Sequence, residues 1–131
     1  MPKPDDSPKF SESISAVIRI FDNAVKDLEW NDQQALKMDQ LTQDYLHSLE
    51  LDMLSYSDRA KLATKLSRCR RLRRDHKDMV MSLAPLVDFL NSERGKRMMK
   101  DLRETLGQTR KIEKYMETRK YYPRIPETER P

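Results

Sequence analysis

The chain has 131 residues, of which 37% are apolar and 37% charged, with only two glycines, one cysteine and a formal net charge of +4. That length suits one domain with a modest core, and the lone Cys69 excludes an internal disulfide. The start MPKPDDSPKF is unlike a signal peptide and no apolar run approaches the roughly 20 residues of a membrane span, so a soluble protein of a reducing cytoplasm, with no membrane partner, is expected.

Net charge conceals a division along the chain. Residues 1–57 carry 5 Lys/Arg against 11 Asp/Glu, whereas residues 58–131 carry 21 against 11. Such a split fits a nucleic-acid surface, and equally an acidic half that docks on the basic half of the same chain or of a second copy.

Pro2, Pro4 and Pro8 make residues 1–10 a disordered arm, and a single helical domain is expected over 11–120. Ile14, Val17, Ile18, Phe21, Val25 and Leu28 recur at steps of three and four, predicting an amphipathic helix over about 12–29. Asn31 and Gln34 have the spacing of a capping box, and Ala35, Met38, Leu41, Tyr45 and Leu49 carry a second helix over about 32–51, with the chain either breaking or bending at Trp30. Ser55 and Asp58 repeat the capping-box spacing ahead of the longest helix, about 56–91.

In that helix positions 62, 66, 69, 73, 76, 80, 83, 87 and 90 alternate steps of four and three, the seam of a helix packed along a partner. Arg73 and His76 are its polar members. Pro85 kinks or ends the helix, and the surviving apolar register favours a kink. Ser92 is a suitable N-cap for a fourth helix, about 94–119, with Met98, Leu102, Thr105, Thr109, Ile112 and Met116 on one face and Met99, Leu106 and Tyr115 beside it. Gly107 within it suggests close approach of a neighbouring backbone. Pro123, Pro126 and Pro131 make residues 121–131 a non-helical tail.

The expected fold is therefore all-α: a long antiparallel, coiled-coil-like helical hairpin, with additional N-terminal helices packed on it. A turn near residue 93 would pair the two C-terminal helices and set Arg73 against Glu113 or Glu117, an ion pair that fixes register.

No catalytic or cofactor signature stands out, and a non-enzymatic protein is expected. Cys69 and His76 lie seven residues apart on one helix, about 10.5 Å along its axis, beyond hydrogen-bond reach. Asp44-x-x-His47 has a spacing like that of di-iron bundles, but the matching place before His76 is Arg73, which repels a metal. Gly95 and Gly107 stand alone and form no phosphate loop. Met79, Met81, Met98 and Met99 are core filler or a pliable binding surface.

Six basic side chains fall within Arg68 to Lys77. Arg70, Arg74 and Lys77 recur at i, i+4 and i+7, flanked by Arg68 and Arg71, a stripe able to track DNA or RNA phosphates, although Asp75 and Asp78 interrupt it. Tyr121, Tyr122 and Arg124 can stack on exposed bases or pin the tail against the bundle.

The order of the segments LTQDYLHSLELDMLSYSDRAKLATKLSRCRRLRRDHKD, LAPLVDFL, LGQTRKIEKY and YYPRIP, over about residues 40–126, resembles small helical proteins of phages and prophages of Gram-positive bacteria. That resemblance implies a setting in the host cytoplasm and no particular activity. The expected function is binding or regulation of a protein or nucleoprotein partner through a helical face. Direct nucleic-acid binding through Arg68, Arg70, Arg71, Arg74 and Lys77 is the alternative, and a self-assembling coiled-coil component joining copies by oppositely charged ends is a third.

Overall fold

A computed structural model describes residues 9–131, so the expected arm falls mostly outside the described residues. Three helices follow in order: α1 (Phe10–Leu51), α2 (Tyr56–Asn91) and α3 (Glu93–Thr118), then a single 3₁₀ turn at Glu127–Glu129. No strand occurs among the described residues, and the chain is all-α.

The two N-terminal helices expected from the sequence are one. Neither Gly nor Pro occurs between residues 10 and 51, so nothing interrupts the backbone ladder at Trp30. Asn31 does not cap. Its Nδ2 donates to the Asp27 carbonyl one turn back, at 2.8 Å. At 42 residues α1 is about 63 Å long.

α2 and α3 start as their caps dictate. Ser55 accepts from the Asp58 backbone N–H at 3.2 Å, and Ser92 from that of Gly95 at 3.1 Å. Pro85 lies inside α2, and the helix runs on through it to Asn91. Its place on the solvent side leaves the carbonyl deprived of a donor open to water, which softens the loss.

The hairpin is formed by α1 and α2, not by α2 and the helix after it. Asn31 meets His76, Asp39 meets Arg73, and Thr42 meets Cys69, so numbers fall along α1 as they rise along α2 and the two run antiparallel. All nine expected seam positions of α2 are buried or half-buried. On α1 the matching stripe is Ala24, Leu28, Asn31, Ala35, Met38, Thr42 and Tyr45, again in steps of four and three.

Asp22 meets Arg103, Ser11 meets Glu113 and Lys9 meets Glu117, so α3 is also antiparallel to α1. It therefore runs in the same general sense as α2. Ser92, extended at φ −71° and ψ 163°, is the one residue between them and makes a corner, not a reversal. Gly95 is what lets the corner close: a Cβ there would lie 1.9 Å from the Phe89 carbonyl oxygen. Gly107 behaves otherwise than expected, with open space around the place of its missing Cβ. The face that α3 turns to α1 is Gly95, Met99, Leu102, Leu106, Thr109 and Glu113; Ile112 and Met116, expected on the buried face, are exposed.

The main apolar cluster sits where the three helices meet. Ile18, Leu90 and Met99 form its centre, with Ile14, Phe21, Val25, Leu86, Leu102 and Leu106 around them. Beyond it, towards the α1–α2 connector, the molecule is only two helices thick. Its accessible surface of 11315 Å² far exceeds the about 7,300 Å² of a compact monomer of 15.6 kDa. No described helix is long and apolar enough to cross a membrane.

Candidate partner-binding surface

The basic run of α2 divides into two sets because a helix turns about 100° per residue. Positions 70 and 77 lie seven apart beside the seam, and so do Asp32 and Asp39 on α1. In an antiparallel pair such edges face each other. Arg70 Nη1 lies 3.6 Å from Asp39 Oδ1, and Lys77 Nζ 3.9 Å from Asp32 Oδ1. Arg73, on the seam itself, brings Nε to 2.5 Å from the same Asp39 oxygen. One carboxylate thus answers two guanidinium groups, and the acidic half of the chain docks on its own basic half. The expected pairing of Arg73 with Glu113 or Glu117 is replaced by this one, because the helix opposite α2 is α1.

The stripe of Arg70, Arg74 and Lys77 is correspondingly split. Arg70 and Lys77 turn towards α1, while Arg68, Arg71 and Arg74 are exposed and take part in none of the ion pairs among the described residues. These last three succeed one another at steps of three, a short left-handed path of cations about 9 Å long up the outer side of α2. Tyr121, Tyr122 and Arg124 are exposed beyond the end of α3, where Tyr121, Pro123, Arg124, Ile125 and Arg130 line an open hollow.

Behind the cations the seam carries three polar layers. Cys69, only 3% exposed, donates from Sγ to the Met38 carbonyl at 3.1 Å and lies 3.4 Å from the Thr42 hydroxyl. The Arg73 layer comes next. In the third, His76 Nδ1 is 2.8 Å from Asn31 Oδ1, and the Trp30 ring stands edge-on to the imidazole with centroids 5.4 Å apart. Ala35, with no exposed surface, lies between the second and third layers and leaves room for these longer side chains. Every buried side-chain nitrogen and oxygen among the described residues is hydrogen-bonded.

At the far end Glu113 Oε2 accepts from the Ser11 backbone N–H at 3.1 Å, so a side chain of α3 satisfies an open donor at the start of α1. The hydrogen bond to Ser11 holds the Glu113 carboxyl below the usual range, with help from the Lys9 and Arg110 charges. Lys9, bonded to Glu117, is held above the usual lysine range, first by that hydrogen bond and then by the carboxylate charge.

Hollows of about 370 Å³ beside Arg94, Arg97, Met98, Asp101 and Leu102, and of about 310 Å³ between Phe21, Val25, Leu90 and Met99, with the Asp22–Arg103 ion pair at the rim of the second, are open surface grooves. No cluster of three or more His, Cys, Asp or Glu among the described residues is arranged to hold a metal ion. Of the four methionines near the corner, Met99 is buried and Met98 half-buried, while Met79 and Met81 are exposed.

Apart from Met79, expected as core filler or a pliable binding surface, sequence reasoning missed the outward apolar side chains of the hairpin. Ile20, Trp30, Leu72 and Met79 are 62%, 55%, 39% and 47% exposed. Their signal was the seven-residue step from Leu72 to Met79 and on to Leu86, one position ahead of the seam. Comparison with protein-family models, with curated proteins and with solved structures found no match to the chain.

Proposed function

We propose that the chain is a non-enzymatic binding protein that engages an acidic protein or nucleoprotein partner through the outer side of α2. The observation that carries this reading is the division of the basic run: Arg70, Arg73 and Lys77 are engaged by α1, whereas Arg68, Arg71 and Arg74 are left facing solvent. Cations spent on internal pairs contribute little outward field, while three free guanidinium groups on a rigid helix can each take a carboxylate or phosphate in bidentate fashion. The resemblance to phage and prophage proteins makes a protein or nucleoprotein of a bacterial host's cytoplasm the natural partner.

The test is affinity capture from such a host with the tagged chain and with its Arg68→Glu/Arg71→Glu/Arg74→Glu variant. A species retained by the native chain and lost by the variant supports the reading; retention unchanged by the triple reversal overturns it. The same cations favour direct nucleic-acid binding as a second reading. Three phosphates neutralised on single-stranded nucleic acid give a log–log salt slope of about −2, so anisotropy with labelled DNA and RNA separates the two.

A further inference from the structure

We propose that two copies of this chain associate side by side through the uncovered edge of the α1–α2 hairpin, forming a four-helix bundle around an axis parallel to the helices. The hairpin has two edges. Along one, Asp32 and Asp39 face Lys77 and Arg70, and α3 closes its end over Phe21, Asp22 and Val25. The opposite edge has no third helix. It presents Leu72 and Met79 from α2 and Ile20 and Leu41 from α1, the last two separated by Asp27 and Gln34, with Trp30 and Phe89 just outside them. All are exposed or half-buried, and the strip they form runs about 30 Å along the hairpin. Exposed apolar strips of this extent on a thin helical molecule are interaction surfaces.

Charge says what covers it. The register set by Asn31 with His76 and Asp39 with Arg73 places Trp30 level with Met79, Ile20 level with Phe89, Asp44 level with Lys65 and Arg68, and Lys37 level with Leu72 and Asp75. A two-fold axis parallel to the helices lays α1 of one copy over α2 of the other at equal heights. Trp30 then meets Met79 of the second copy, and Ile20 meets its Phe89. Asp44 faces the other copy's Lys65 and Arg68, and Lys37 faces its Asp75. Every charged pair so formed is of opposite sign, and symmetry makes each twice. An axis across the helices would instead stack α1 on α1 and α2 on α2. Two helix widths along this strip and its charged margin cover about 800 Å² per copy, the size of a standard stable interface. Arg71 and Arg74 stay outside the bundle while Arg68 lies at its margin, so Arg71→Glu/Arg74→Glu, which leaves the charges of this interface in place, tests the outer cations separately from the dimer.

Light scattering and sedimentation of the full chain at increasing concentration test the proposal. The expected mass is twice 15.6 kDa. Trp30→Glu/Met79→Glu, a change at exposed positions whose helicity is checked by circular dichroism, should return the mass to that of one chain. Asp44→Lys should weaken association about tenfold, as should Lys65→Glu/Arg68→Glu, and combining all three should restore it. A native chain that stays monomeric at 100-fold dilution steps up to about millimolar, or a dimer indifferent to both the apolar and the charge substitutions, overturns the proposal.

Discussion

Arg73 reaches across the hairpin to Asp39, with Nε 2.5 Å from Oδ1, and that pair is the middle one of three polar layers, between Cys69 with Thr42 and His76 with Asn31. Both side chains are part-exposed, so the pair sits between a surface bridge and a buried one. Asp39→Asn should cost about 1 kcal/mol and lower Tm by a few degrees, since it leaves Arg70 and Arg73 without their carboxylate. Arg73→Met should recover much of that loss in the Asp39→Asn background. Thermal melts of the four proteins of this cycle measure the coupling, and strict additivity would contradict the shared role of Asp39.

The contact between α1 and α3 should depend on pH in a definite direction. Glu113 has a lowered carboxyl pKa in the folded chain, so its contribution is fully present above the ordinary carboxylate range and is lost as pH falls through the lowered value. Lys9 has a raised pKa, so its contribution is present below the ordinary lysine range and lost as pH rises through the raised value. Amide exchange at Ser11 should thus be slow at neutral pH and accelerate in acid beyond the intrinsic pH effect. Glu113→Gln should remove that acid-dependent step.

The two glycines should respond oppositely to the same substitution. Gly95→Ala forces a methyl group against the Phe89 carbonyl and must open the corner at Ser92, lowering Tm and exposing the Ile18, Leu90 and Met99 cluster. Gly107→Ala meets nothing and lies mid-helix, so it should stabilise by up to about 1 kcal/mol. Denaturant midpoints of the two variants give the comparison directly.

Cys69 should be silent to thiol reagents in the native state, because it is enclosed by Met38 and Thr42. Its labelling rate should follow unfolding, rising with denaturant in step with the loss of helicity. Cys69→Leu should cost about 1–3 kcal/mol by overfilling the layer.

The arginines of α2 should separate by what they touch. Arg71→Glu and Arg74→Glu should leave the unfolding free energy within about 0.5 kcal/mol of the native value, as exposed positions without partners do. Arg73→Glu sets a carboxylate against Asp39 and should destabilise the hairpin by more than about 1 kcal/mol. Equal effects at positions 73 and 74 would contradict the division of the basic run.

By itself the sequence determined that this chain is helical and which stripe of α2 is buried. The four-three alternation from Leu62 to Leu90 and the caps at Ser55 and Ser92 are local properties, set by side-chain spacing and by hydroxyl oxygens beside open N–H groups. Pairing is not local. A heptad seam on α2 accepts any helix with a similar seam, and Asn31, Asp39 and Thr42 look like ordinary polar residues until they are seen opposite His76, Arg73 and Cys69. Only the tertiary structure decided between the upstream and downstream partner, and chain geometry supplies the reason. Four residues between Leu51 and Tyr56 suffice to reverse direction, whereas the single extended Ser92 between α2 and α3 turns a corner and carries the chain onward along α1.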